Sequence, residues 1–150
     1  MRITFRTVFG IVPVPIVYTD RLLKDWQGAA TRGPIVVIRT VYLERGDEGI
    51  HAHELEHVRQ FWTMAASLAI VLLLVLPAEW RALGAALPLL AHPLLYRFAR
   101  SYRLEAEVSA YRVQLEHQPA GVPVEWAADR LATCYDLRIS LEDARALLQA

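Results

Sequence analysis

The chain has 150 residues, about one domain's worth, with 16 basic against 16 acidic side chains and 55% hydrophobic residues. A net charge near zero gives no sign of a basic nucleic-acid surface, a polybasic membrane patch or an acidic substrate trap. Cys134 is the single cysteine, so an internal disulfide and a cysteine-built metal cluster are excluded, and a metal has to be held by His and carboxylate.

From the N-terminus, Ile3 and Phe5 alternate with Arg2, Thr4 and Arg6, and this period of two predicts a short strand. Pro13 and Pro15 interrupt Val12 to Val17 and favour an extended segment or edge strand over a helix. A signal peptide is the rival reading of this stretch. The prolines inside the apolar run argue against it, as do Asp20, Arg21, Lys24 and Asp25 ahead of Gly28-Ala29-Ala30. Asp20 to Gln27 is read as one or two helical turns and Gly28 to Pro34 as a loop. Ile35 to Leu43 is the clearest strand, β-branched and bounded by Gly33-Pro34 and Gly46. A charged turn, Glu44 to Ile50, then leads to a helix expected to start near His51 or Ala52.

That helix carries His53-Glu54-Leu55-Glu56-His57. Residues four apart share one helix face, so the two imidazoles can grip one zinc ion together. Glu54, beside the first ligand, is placed to take a proton from a zinc-bound water, which points to a zinc hydrolase acting on peptide or protein substrates. The competing reading is a solvated helix that carries two histidines by accident.

Phe61 to Tyr96 holds only two charged residues, Glu79 and Arg81. Trp62 and Trp80 bracket its first limb, 18 residues apart, or about 27 Å of helix, close to the hydrocarbon thickness of a bilayer. The second limb, Ala82 to Tyr96, carries Gly84, Pro88, His92 and Pro93 and reads as a broken or re-entrant helix. Residues 61–96 are therefore expected to form an apolar helical hairpin that dips into a membrane. Arg59 before it, and Arg97, Arg100 and Arg103 after it, would set the catalytic side in the cytoplasm. The alternative is a pair of buried helices in a soluble cytoplasmic protein or oligomer.

Phe98 to Glu116 is predicted to be an amphipathic helix, with Leu104, Val108, Tyr111 and Leu115 at spacings of three and four. Glu105 and Glu107 point about 200° apart around it. Glu107 is the choice for third ligand and Glu105 the backup. Ala110 would let the helix approach the histidines, and Tyr111, one turn beyond Glu107, would support a ligand. A solvated acidic pair matched to nearby arginines is the competing reading. His117 to Pro123 is a linker, followed by a helix over Val124 to Tyr135, a turn at 136–138, and a last helix, Leu141 to Gln149, capped by Ser140 with Asp143 at the capping-box distance. This helix pair, about 124–149, has the order of a helix-turn-helix DNA regulator. Glu142 and Asp143 against Arg145 alone make a poor face for phosphates, so packing is expected and no nucleic acid. Of the remaining histidines, His51 is read as a solvated loop residue or alternative ligand, His92 as an interior residue, and His117 as a helix C-terminal residue favoured by the dipole.

Together, His53-Glu54-Leu55-Glu56-His57, an apolar connection and Glu107-Val108-Ser109-Ala110-Tyr111 resemble the gluzincin metallopeptidases. The apolar connection is similar to that of membrane-embedded peptidases related to HtpX and Ste24. The run from His53 to Trp62 is similar to small predicted zinc proteins of bacteria and phages. The resemblance covers roughly Ile35 to Gln114. It implies a zincin-like α+β fold, mostly α: a short N-terminal sheet, the H-E-x-x-H helix, the apolar hairpin, the glutamate helix and the C-terminal pair, in a single domain over 1–150. It implies Zn²⁺ held by His53, His57 and Glu107, with Glu54 as catalytic base. By the same resemblance Ile35 to Leu43 would be the edge strand that binds an extended substrate by main-chain hydrogen bonds. The Asp that many gluzincins carry in Glu-x-x-Ala-Asp is replaced by Tyr111, and its role does not transfer. No oxyanion-stabilising residue is assignable; Tyr42, Tyr102 and Tyr135 qualify by type only. A zinc-binding structural or interaction protein without turnover is the remaining alternative.

Overall fold

The computed structural model describes residues 1–118 and 123–150. The fold is α+β and mostly helical. Strands β1 (Arg2–Val8) and β2 (Val12–Tyr18) form a hairpin, with Phe9 and Gly10 at positive φ in its turn. Strands β3 (Ala29–Arg32) and β4 (Ile35–Ile38) form a second hairpin, turned by Gly33 at φ +62°. The sheet order is β1-β2-β4-β3, with β2 and β4 parallel. Pro13 and Pro15 are tolerated inside β2 for a geometric reason. The Thr19 N–H donates to Ile38 O, so odd-numbered residues of β2 face β4, and pairing with β4 starts only at Ile16.

Several expectations change here. The stretch from Asp20 to Gln27 forms bends and turns, not helix, and the expected loop at 28–34 contains β3. The strand expected over Ile35 to Leu43 stops at Ile38, and α1 (Thr40–Arg45) follows, with Gly46 in the left-handed conformation as its C-cap. Val41, Tyr42 and Leu43 form an unbroken run that periodicity alone does not assign to strand or helix, and Asp20 holds the Thr40 hydroxyl at 2.6 Å where the chain turns. Moreover, β4 lies inside the sheet. The edge strand near the histidines is β3.

Helix α2 (Glu48–Val75) starts earlier than expected, because the Asp47 side chain accepts from the Ile50 N–H and caps it. It is one helix of 28 residues, so the histidine helix and the first apolar limb are continuous. Gly49 lies within it, not in a turn: a Cβ there would stand 2.5 Å from Gln118 Nε2 and 3.2 Å from Gln114 O. A 3₁₀ turn (Ala78–Trp80) leads to α3 (Arg81–Ala86) and α4 (Pro88–Phe98), the broken second limb. Then α5 (Arg100–Glu116) packs back along α2. Helices α6 (Glu125–Cys134) and α7 (Leu141–Gln149) complete the chain, the latter with the full Ser140–Asp143 capping box. Of the linker expected over 117–123, residues 119–122 lie outside the described residues.

Two apolar cores flank α2 and α5. One joins the sheet (Val14, Ile16, Val36, Ile38) to Val58 of α2. The other joins Val108 and Tyr111 of α5 to Ala128, Leu131, Ala144 and Leu148. The polar face between α2 and α5 is held between these two anchored elements.

Candidate metal centre

His53 and His57 lie one turn apart on α2, and both point at α5. Glu107 answers from α5: its Oε2 is 3.7 Å from His53 Nε2 and its Oε1 3.4 Å from His57 Nε2. All three residues are buried, and their donor atoms lie within 4.8 Å of one another. Glu105, the backup ligand, is exposed and outside the group, as its opposite helical phase requires.

The three residues fit a metal ion. Two ligands at about 2.05 Å around a tetrahedral ion stand about 3.3 Å apart, close to the two nitrogen–oxygen distances. Glu107 Oε2 is buried with no hydrogen-bond partner. A carboxylate oxygen left bare in the interior is costly unless an ion or donor completes it. His57 is oriented from behind: its Nδ1–H donates to Gln60 Oε1 at 3.0 Å, and Gln60 Nε2 donates to Ala106 O on α5 at 3.0 Å. That fixes the tautomer with the Nε2 lone pair facing Glu107. His53 Nδ1 is buried without a hydrogen-bond partner, and Gln114, buried on α5, lines the same cleft.

The three groups shift one another's protonation. Burial lowers the His57 imidazole, but the Glu107 carboxylate outweighs it and lifts the pKa to about 9. Burial and the charge on His57 push His53 down to about 3. Burial raises the Glu107 carboxyl, yet the two imidazoles and the Tyr96 hydroxyl hold it below its ordinary value.

Glu54 is also buried and lines the same cleft. The Thr31 hydroxyl of β3 donates to its Oε2 at 2.7 Å. Burial drives its pKa up to about 7, against the pull of His57 and Thr31. A cleft carboxyl raised by burial beside charged neighbours is the kind of group that marks a candidate functional site. The cleft, about 1050 Å³, is bordered by β3, α2, α4, α5 and α6.

Sequence reasoning missed Tyr96, whose hydroxyl donates to Glu107 Oε1 and whose ring packs edge-on against His57. Tyr96 ends an apolar run, and nothing in its spacing ties it to a histidine 39 positions earlier. Arg103 fixes it, donating through Nη1 to Tyr96 O at 2.8 Å and through Nε to Tyr135 O at 3.0 Å. Thr31 and Gln60 were missed too. Tyr111 lies beside the group, its ring 4.6 Å edge-on from His53 and its hydroxyl 2.9 Å from that of Tyr135. Of the tyrosines named by type, Tyr102 hydrogen-bonds His92 at 2.7 Å, while Tyr42 and Tyr135 line the cleft. His51 is no solvated loop residue: it is buried in α2, with Nε2 bonded to the Tyr18 hydroxyl at 2.8 Å and Nδ1 to Asp47 O. Both its nitrogens are engaged, so it is not a ligand. His92 is interior and partnered, and His117 Nδ1 donates to Val113 O at 2.8 Å at the end of α5. No protein family, curated protein or solved structure matches the chain.

Proposed function

We propose that the protein is a zinc-dependent peptidase of gluzincin type. The observation that carries this reading is the meeting of His53, His57 and Glu107 in one buried group, inside a cleft that also holds Glu54. Two imidazoles and a carboxylate are a donor set suited to zinc. Three protein donors, not four, are found among the described residues, and three is the number used by catalytic rather than structural zinc sites.

When bound, zinc supplies a Lewis acid that brings the pKa of water toward about 7 and polarises a carbonyl. His53 and His57 present Nε2, and Gln60 keeps His57 in that tautomer. Glu54, shielded from solvent and held by Thr31, takes the proton of the attacking water and passes it to the leaving nitrogen. The Tyr96 hydroxyl, now donated to Glu107, turns to the oxygen that gains negative charge and fills the oxyanion role. An extended peptide pairs with the free edge of β3, beside Thr31 and Glu54, in place of the longer strand expected from the sequence.

The test is hydrolysis of an unfolded protein and a peptide library, read by mass spectrometry, with zinc content measured on the same samples. Wild type cleaves, and Glu54→Gln keeps its zinc and does not cleave. Zinc-loaded wild type that cleaves nothing would instead favour a binding protein without turnover.

A further inference from the structure

Beyond Ala65 the molecule turns its chemistry inside out. Ile70, Val71, Leu74 and Val75 of α2 are exposed, and so are Leu90, Leu94 and Phe98 of α4. In the returning limb only Gly84, Pro88 and His92 are buried, four residues apart, forming one narrow seam. The seam faces α2: a Cβ on Gly84 would meet Leu76 at 2.7 Å and Leu72 at 3.4 Å. The limb's base also meets α5 through His92 and Tyr96, and the remaining faces of the limb are open and apolar.

A helix docking on a protein partner shows one apolar stripe, whereas a helix apolar around most of its circumference suits hydrocarbon. An apolar surface of this extent marks an interaction site in either case. Charge decides between them. Glu79 and Arg81, the only ionised side chains between Trp62 and Tyr96, sit with exposed Trp80 at the hairpin tip. At the base, Arg97 and Arg100 are exposed. Apolar limbs with Trp and charge at one end and arginines at the other match a bilayer with anionic headgroups at the base. The first limb is shorter than the tryptophan spacing suggested, because Trp62 packs against the sheet core. From Thr63 to Val75 it rises about 20 Å, which calls for a locally thinned bilayer.

We propose that the hairpin from Thr63 to Leu95 inserts into a lipid bilayer, with Arg97 and Arg100 at the anionic headgroup layer. The helix that carries His53 and His57 is then itself the anchor, and the cleft opens next to the membrane surface. This inference rests on the exposed apolar faces and stands whether or not the centre binds zinc.

The experiment uses the full chain with Cys134→Ser and one added cysteine, Leu90→Cys or Leu94→Cys, both at exposed apolar positions. Flotation with vesicles of phosphatidylcholine and phosphatidylglycerol is scored together with labelling by a water-soluble maleimide. The protein is expected to float with the vesicles, and labelling at either cysteine to fall at least tenfold relative to protein unfolded in denaturant. Replacing both Arg97 and Arg100 by Gln should shrink the preference for phosphatidylglycerol vesicles. Protein that stays in the aqueous fraction with both cysteines reactive overturns the proposal. So does protection that arises in lipid-free buffer and grows with protein concentration, which would identify a second copy as the occupant.

Discussion

The two halves of α2 treat polarity in opposite ways. Residues 48–61 bury His51, His53, Glu54 and His57, and each of these side chains meets a partner or the metal group. Residues 62–75 carry no ionised side chain and leave Ile70, Val71, Leu73, Leu74 and Val75 in the open. The first half is enclosed by the sheet on one side and α5 on the other. The second, beyond Trp62 and Ala65, lies beside α3 and α4 and is largely exposed. A single helix thus joins an enclosed polar cluster to an unenclosed apolar arm. Burial in the first half tunes protons, and the lack of it in the second calls for another solvent.

The sharpest way to break this contrast is to remove a ligand. His57→Ala should lose most of the bound zinc and all hydrolysis, by elemental analysis and peptide cleavage, because a two-donor remnant lacks the third bond. Glu54→Gln comes next: roughly 10²- to 10⁴-fold lower kcat with zinc retained. Tyr96→Phe should lower kcat about 10²- to 10³-fold with KM and zinc content little changed, which a purely structural tyrosine would not do. Gln60→Ala should weaken zinc about 10- to 100-fold through loss of the His57 tautomer lock. The smallest effects compare the halves directly. Val58→Ala, fully buried against the sheet, should cost about 2 kcal/mol in denaturant unfolding in mild detergent. Leu74→Ser, 80% exposed, should stay within about 0.5 kcal/mol there and instead weaken vesicle binding.

How much of this was legible in the sequence follows from the range of each interaction. The His53–His57 pair and the Ser140 capping box are local, set by spacings of four and three, and both were readable. Helix phase showed that only one of Glu105 and Glu107 can face the histidines, and it is the packing of α5 on α2 that buries Glu107 and leaves Glu105 exposed. Strand β3 was hidden because Ala29 and Ala30 have weak strand preference, Gly28 and Gly33 flank the segment, and its four residues are held there by pairing with β4. The end of β4 was hidden because periodicity alone does not assign the residues after Ile38, and Asp20 fixes the turn from 20 positions away. Tyr96, Thr31 and Gln60 reach the site by tertiary contacts that no local pattern encodes.

The central claim is that His53, His57 and Glu107, and not Glu105, hold one zinc ion. Elemental analysis of purified wild type, Glu107→Ala and Glu105→Ala tests it most directly. The account predicts about one equivalent of zinc in wild type and in Glu105→Ala, and its loss in Glu107→Ala. Wild type without zinc, or Glu107→Ala that retains it, would contradict the account.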